Sequence, residues 1–215
     1  MDRDNIEDIH SHNIDYVRRE IYLHGHISPD DEDPGVDYRM ASTVIKNLRI
    51  LDNESDKSIL IHMHSLGGNW NDGMAIYDSI RACRSHIYIA TYGQAESMSS
   101  IILQAADTRI MMPNAYFMCH FGSSGYEGNF LDTQNAVEFE KNIANTMLDI
   151  YAHSATGGKF FQENYKGMTQ GKIKNYIKNK LRGGDWYLNS RETVTYGFAD
   201  AILTDEPYGS LSKLK

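Results

Sequence analysis

The sequence predicts an α/β domain built from βαβ units around a largely parallel sheet. Two observations predict it. Apolar runs of strand length alternate with segments whose apolar residues recur at helical spacing. The chain has 215 residues and only 4 prolines, with no Pro-rich or Ser-rich linker to divide it, so one domain with a sizeable core is expected.

In chain order, residues 1–16 are polar and read as a mobile or capping arm. Residues 21–27 form the first strand. Residues 28–35 form a turn whose acidic side chains suit a helix start. Met40, Val44, Leu48 and Leu51 then give one buried helix face. Residues 58–64 are a strand that ends at Gly67-Gly68. Met74, Ile76, Tyr77, Ile80 and Cys83 mark a helix from about residue 71 to 84. Residues 87–92 are the next strand, closed by Gly93, and a helix starts at about Ser97 and runs through Ile101, Ile102, Ala105 and Ala106. Residues 109–112 and 115–119 are short strands separated by Pro113-Asn114. After His120 the chain turns glycine-rich and irregular. A long helix is expected from about 132 to 153, with Val137, Ala144, Met147, Leu148 and Tyr151 on its apolar side and Gly157-Gly158 at its end. A lysine-bearing helical segment leads to Gly183-Gly184. A helix over 190–196 and a strand over 201–203 complete the domain.

Bulk properties narrow the function. The net charge of -8 argues against a nucleic-acid partner, because phosphate neutralisation needs clustered Lys and Arg. The four lysines between Lys172 and Lys180 read as a solvated helix face. Cys83 and Cys119 match no zinc or disulfide pattern and read as buried, reduced thiols of a cytoplasmic protein. Residues 1–8 are acidic and lack the apolar core of a signal peptide. No apolar stretch approaches the roughly 18 to 20 residues that span a bilayer.

Four motifs carry chemistry, in the order Gly67-Gly68, Ser97, His120, Asp185. A serine needs a base to become a nucleophile. The base needs a carboxylate to hold its tautomer, and the oxyanion needs backbone donors. Ser97 falls between a strand and a helix, where a tight turn exposes the hydroxyl and free N–H groups favour negative charge. Met98 N–H and Gly68 N–H are the candidate oxyanion donors, and glycine lets the backbone approach a substrate closely. Taken singly, Ser97 reads first as an N-cap, His120 as a strand-end histidine and Asp185 as a turn cap, and only their conjunction favours the catalytic reading. The pairs His10/His12, His24/His26 and His62/His64 would share a face if extended, but no Cys or carboxylate set accompanies them, so no metal is expected.

The motifs also carry a resemblance. Gly67-Gly68 with Gly73-Met74-Ala75-Ile76-Tyr77-Asp78 resembles the SPGG…GMAIYD stretch of the proteolytic subunits of Clp protease, the ClpP family. Gly93 to Met98 resembles its GQAASM, Pro113-Asn114 with Met118-Cys119-His120 resembles PNSRVMIH, and Tyr196 to Ile202 resembles YGLVDSI. The match spans about residues 15 to 205 in motif order. It implies a ClpP/crotonase-like fold over residues 17–206, with a protruding strand-helix handle at about 122–155, an N-terminal arm over 1–16 and a C-terminal tail over 207–215. It implies a heptameric ring, commonly doubled, in which Ser97, His120 and Asp185 hydrolyse peptide bonds and Gly68 and Met98 form the oxyanion hole. The chain has no P-loop, so ATP would enter only through a partner unfoldase of the AAA+ class. That partner would dock on Leu60, His62, Ala82, Ala90, Tyr92, Ile110, Met112 and Leu203.

Several positions depart from the family pattern. Leu66 stands at the proline of SPGG, Ser99 at a glycine, and Phe121-Gly122 at the usual Gln-Pro. Glu96 replaces a small residue beside the nucleophile, where a carboxylate would favour a protonated imidazole or repel acidic substrates. The 155–184 segment is long, so Asp185 is assigned by its C-terminal neighbours Trp186-Tyr187-Leu188 and Glu192 instead of by its spacing from His120. Gly184 replaces an arginine that pairs across rings. Ala82 and His62 stand where aromatics are usual, which predicts weak docking of a standard unfoldase. The same scaffold leaves two other readings: a catalytically silent ring subunit, and a crotonase-type acyl-CoA enzyme that would rely on carboxylates instead of the triad.

Overall fold

The computed structural model describes residues 3–24, 35–165, 167–211 and 214, without the side chains of residues 3, 4 and 24. The expected turn over 28–34 and the end of the first expected strand, 25–27, lie outside the described residues. The chain opens with α1 (Arg3–His12) and β1 (Ile14–Asp15), so a polar arm of the sequence takes regular structure. It continues through β2 (Glu20–His24), α2 (Tyr38–Glu54), β3 (Ile59–Ser65) and α3 (Trp70–Arg81). Next come β4 (Ile87–Glu96), α4 (Met98–Leu103), β5 (Thr108–Met111) and β6 (Tyr116–Cys119). After the irregular residues 120–129 come α5 (Phe130–Ala155), α6 (Lys159–Asn164), α7 (Gln170–Leu181), β7 (Trp186–Asn189), α8 (Ser190–Tyr196) and β8 (Ala201–Ile202).

The strands form one sheet in the order β1-β2-β3-β4-β5-β8, with β6 and β7 branching from β4. The pairs β2–β3, β3–β4, β4–β5 and β5–β8 are parallel, as βαβ crossovers require. The mixed α/β architecture with a mostly parallel sheet is the fold expected from the sequence. Besides β1, two strands depart from expectation. β4 does not close at Gly93 but runs on to Glu96, because its first half pairs with β5 and its second half with β6. Gly93 takes φ 48 at the junction, and a β-carbon there would stand 2.6 Å from the His64 ring. β7 was not expected at all: it is short and half-exposed, and it exists because β6 offers it an antiparallel edge.

Strand alternation divides the apolar residues between two faces. Ile59, Ile61, Met63, Ile87 and Ile89 point into the main core with the helices. Leu60, Ala90 and Ile110 point to the opposite face, where Leu214 of the C-terminal tail lies fully buried over them and Tyr208 and Leu211 pack alongside. Asp37 caps α2 by accepting from the Met40 N–H at 2.9 Å. On the site side, Phe117 of β6 stacks on Phe198 at 5.0 Å, with Tyr151 of α5 edge-on to both. Cys119 is buried, whereas Cys83 is only partly buried, at the end of α3. Burial raises the thiol pKa of both, Cys83 to about 11.

Candidate active site

The ends of β4 and β6 lie side by side. Glu96 pairs with Met118, so Ser97 leaves one strand end and His120 the next. β7 pairs Cys119 with Trp186, which brings Asp185 to His120. The resulting contacts join residues 23 and 65 apart in sequence. Ser97 Oγ lies 2.8 Å from His120 Nε2, and His120 Nδ1 lies 3.2 Å from Asp185 Oδ1. With Nδ1–H donating to the carboxylate, Nε2 is the atom left to accept the serine proton.

Ser97 stands at the N-cap position of α4, but its side chain makes no capping bond. Its backbone has φ 51 and ψ −123, a conformation costly for a residue with a β-carbon. Neighbours hold it there. Ser97 N–H donates to the Met118 carbonyl at 2.9 Å, and Ser100 N–H donates to the Ser97 carbonyl at 3.0 Å. The Ser100 hydroxyl also donates to that carbonyl and lies 2.6 Å from the Tyr151 hydroxyl.

The Gly67-Gly68 turn packs against this elbow. Gly67 has φ 98 and Gly68 φ 150. Val36 N–H donates to the Gly67 carbonyl at 2.6 Å and Asn69 N–H to the Val36 carbonyl at 2.8 Å. A β-carbon on Gly68 would overlap the Val36 backbone. Those two bonds do not use the Gly68 N–H. Met98 is the first residue of α4, so its N–H has no partner inside the helix. Ser65 Oγ accepts from the Gly67 N–H at 3.3 Å and from the Ser99 hydroxyl at 2.7 Å, which ties the turn to α4. Ser65 and Ser100 are supporting residues that sequence reasoning passed over, and Ser99 and Tyr151 support the elbow in ways their departure from a glycine and their place on an apolar helix face do not indicate. The only local signal for Ser65 and Ser100 is the density of serines beside the two motifs.

A cavity of about 290 Å³ opens beside Ser97 and His120. Gly68 and Met98 line it, as do Trp70, Ile101, Ile143 and Met147, with Glu140 of α5 on the same wall. The His120 side chain is 27% exposed and that of Asp185 50%. Glu96 lies on the same strip of sheet. Burial raises its carboxyl pKa, the Asp185 charge adds to the rise, and the His120 charge opposes it.

Of the expected docking residues, Leu60, Ala90, Ile110, Tyr92 and Leu203 share one sheet face, His62 touches Tyr92 on it, and Met112 and Ala82 lie apart. Leu60, Ala90 and Ile110 lie beneath the chain's own tail, with Tyr92 and Leu203 packed at its edge. Met112 packs against the main core instead, and Ala82 is the exposed C-cap of α3. His62 stacks on Tyr22 at 4.8 Å, and its ring nitrogens lie 2.9 Å from the Tyr92 hydroxyl and 3.1 Å from Glu20. Met112 follows the last residue of β5 and Ala82 follows α3, so neither is held to that face by strand alternation. His10 and His12 lie on α1, where an i, i+2 pair points to different sides. His26 lies outside the described residues. Among the described residues, no group of three His, Cys, Asp or Glu is placed to hold a metal ion, and no helix is long and apolar enough to cross a membrane.

The chain is similar in sequence to known proteolytic subunits. It is 28% identical over 171 residues to the ATP-dependent Clp protease proteolytic subunit of Deinococcus radiodurans, covering 78% of this chain and 76% of that protein. It is 29% identical over 187 residues to the subunit of the same name from Carsonella ruddii, covering 86% and 84%. It is 29% identical over 175 residues to that of Streptococcus gordonii, covering 79% and 81%. The family model for Clp protease matches residues 32–206, and the chain belongs to that family.

Proposed function

We propose that the chain is a serine-type proteolytic subunit that cleaves peptide bonds at Ser97. The observation that carries this reading is the continuous hydrogen-bonded line from Ser97 Oγ through His120 to Asp185. His120 Nε2 takes the hydroxyl proton as Oγ attacks the peptide carbonyl. Asp185 orients the ring and stabilises the imidazolium, and the Gly68 and Met98 N–H groups receive the oxyanion. His120 then returns the proton to the departing amine, and water releases the acyl group by the reverse path. The cavity holds the side chain on the acyl side of the bond.

The relatives are named as subunits of an ATP-dependent protease. For this chain we assign ATP hydrolysis to a separate AAA+ partner, because the sequence contains no P-loop. We assign a homo-oligomeric ring, heptameric by family resemblance. Phe130, Leu131 and Phe139 on the outer part of α5 are more than half exposed, and a helix carrying such residues suits burial against another copy. The two free cysteines suit a reducing compartment, the cytoplasm.

The test is hydrolysis of a short fluorogenic peptide by fractions sized by sedimentation. Turnover confined to ring-sized species, and abolished by Ser97→Ala, supports the reading. Assembled rings that cleave no peptide would instead support the silent-subunit reading.

A further inference from the structure

Glu140, Ile143 and Met147 sit at i, i+3 and i+7 on α5, so they share one helix face. All three line the cavity beside Ser97. Met98, Ile101 and Met147 are almost fully buried and give that cavity an apolar floor. Glu140 is partly buried, and one of its carboxylate oxygens accepts from the Tyr126 hydroxyl at 2.7 Å. Among the described residues, neither lysine nor arginine lines the cavity or pairs with Glu140. The wall thus places an oriented carboxylate at one edge of a recess with an apolar floor, small enough for a single side chain.

We propose that Glu140 is a specificity-determining residue, and that the cavity takes a side chain with an apolar stem and a terminal cation, lysine or arginine, on the acyl side of the scissile bond. The stem lies against Met98, Ile101 and Met147 while the cation meets the carboxylate. An acidic side chain is disfavoured at the same place by like charge. Tyr126 fixes the carboxylate, so little side-chain freedom is lost when the cation arrives.

The proposal rests on the reading of Ser97 as the nucleophile, so its test separates the two. Labelled peptides that differ only by lysine or norleucine at the acyl-side position are bound to the Ser97→Ala protein, and the dissociation constants are read by fluorescence anisotropy. The two side chains share a carbon stem and differ by the ammonium. Binding to this variant does not depend on a reactive serine, whereas fluorophosphonate labelling of the wild type does. We expect the lysine peptide to bind about tenfold tighter, the preference to shrink with added salt, and Glu140→Gln in the same background to bring the ratio near one. Glu140→Asp should retain part of the preference. Equal or tighter binding of norleucine, or a lysine preference that survives Glu140→Gln, overturns the proposal.

Discussion

Gly67 lies so close to Ser97 that a β-carbon on it would stand 2.6 Å from the Ser97 β-carbon and 2.6 Å from the Glu96 carbonyl oxygen. The glycine turn and the serine elbow are therefore one packed unit. Gly67→Ala meets both a crowded site and a φ of 98. The elbow must shift, and the 2.8 Å contact with His120 is lost. The expected outcome is a fall of at least about 100-fold in serine labelling, since small misplacements of a nucleophile cost that much. Gly157→Ala, where a β-carbon meets nothing within 4 Å, should leave labelling intact.

Asp185→Asn leaves a neutral amide against the His120 ring and favours the wrong tautomer. A buried triad aspartate is worth roughly 10⁴-fold in rate by the same change. Asp185 is half-exposed in the single chain, so water partly substitutes and the predicted loss in kcat/KM is smaller, about 10²- to 10³-fold. Peptide turnover of the purified variant against wild type measures it. A loss below tenfold would mean that Asp185 is not the orienting group.

Stability in acid has an identifiable contributor away from the site. Asp52, at 2% exposure, accepts from the Arg84 and Ser85 N–H groups at 2.9 Å each. Burial alone would raise its carboxyl pKa, but the bonds from Ser85, then those from Arg84 and its charge, outweigh it and hold the pKa below the ordinary 3.8. A lowered carboxyl pKa contributes stability that is complete above 3.8 and is lost as pH falls through the folded value. Asp52→Asn keeps an oxygen that can accept from both N–H groups but loses the charge, and should cost about 1 kcal/mol near neutrality. The gap in melting temperature between wild type and variant should close below pH 3.8. A gap that stays constant with pH would contradict the assignment.

The C-terminal tail is a structural cover. Leu214 is fully buried against Leu60, Ala90 and Ile110. Leu214→Ala should cost about 2 kcal/mol, the lower end for a buried leucine because a terminal segment can settle into the space. Removal of residues 208–215 should bare the sheet face and raise the fluorescence of an apolar-surface dye. No change in dye binding or melting temperature would show that the face is not covered in solution.

The fold was legible where patterns are local. Strand-length apolar runs and helical spacing placed β3, α3 and α5 within a few residues, because one buried face repeats within each element. Ser97 stood out as a serine at the start of an apolar helical segment, and His120 because it follows an apolar strand. Elements that depend on a distant partner were not. β7 borrows its pairing from β6, and the far half of β4 passes through a glycine that reads as a stop. α1 is too polar to show an apolar stripe of the kind that marks α2. Glu140 looks like any acid on a polar helix until α5 is laid beside Ser97. Tyr208, Leu211 and Leu214 did carry a signal, a spacing of three, which a reading of the segment as a plain tail overlooked.

The most direct test is covalent labelling with a fluorophosphonate, with the adduct located by mass spectrometry in wild type and in Ser97→Ala and His120→Ala. A single adduct on Ser97 that is absent from both variants is the predicted result. Assembled, folded protein that takes up no label, or takes it up at another residue, would contradict the claim that Ser97 is an activated nucleophile.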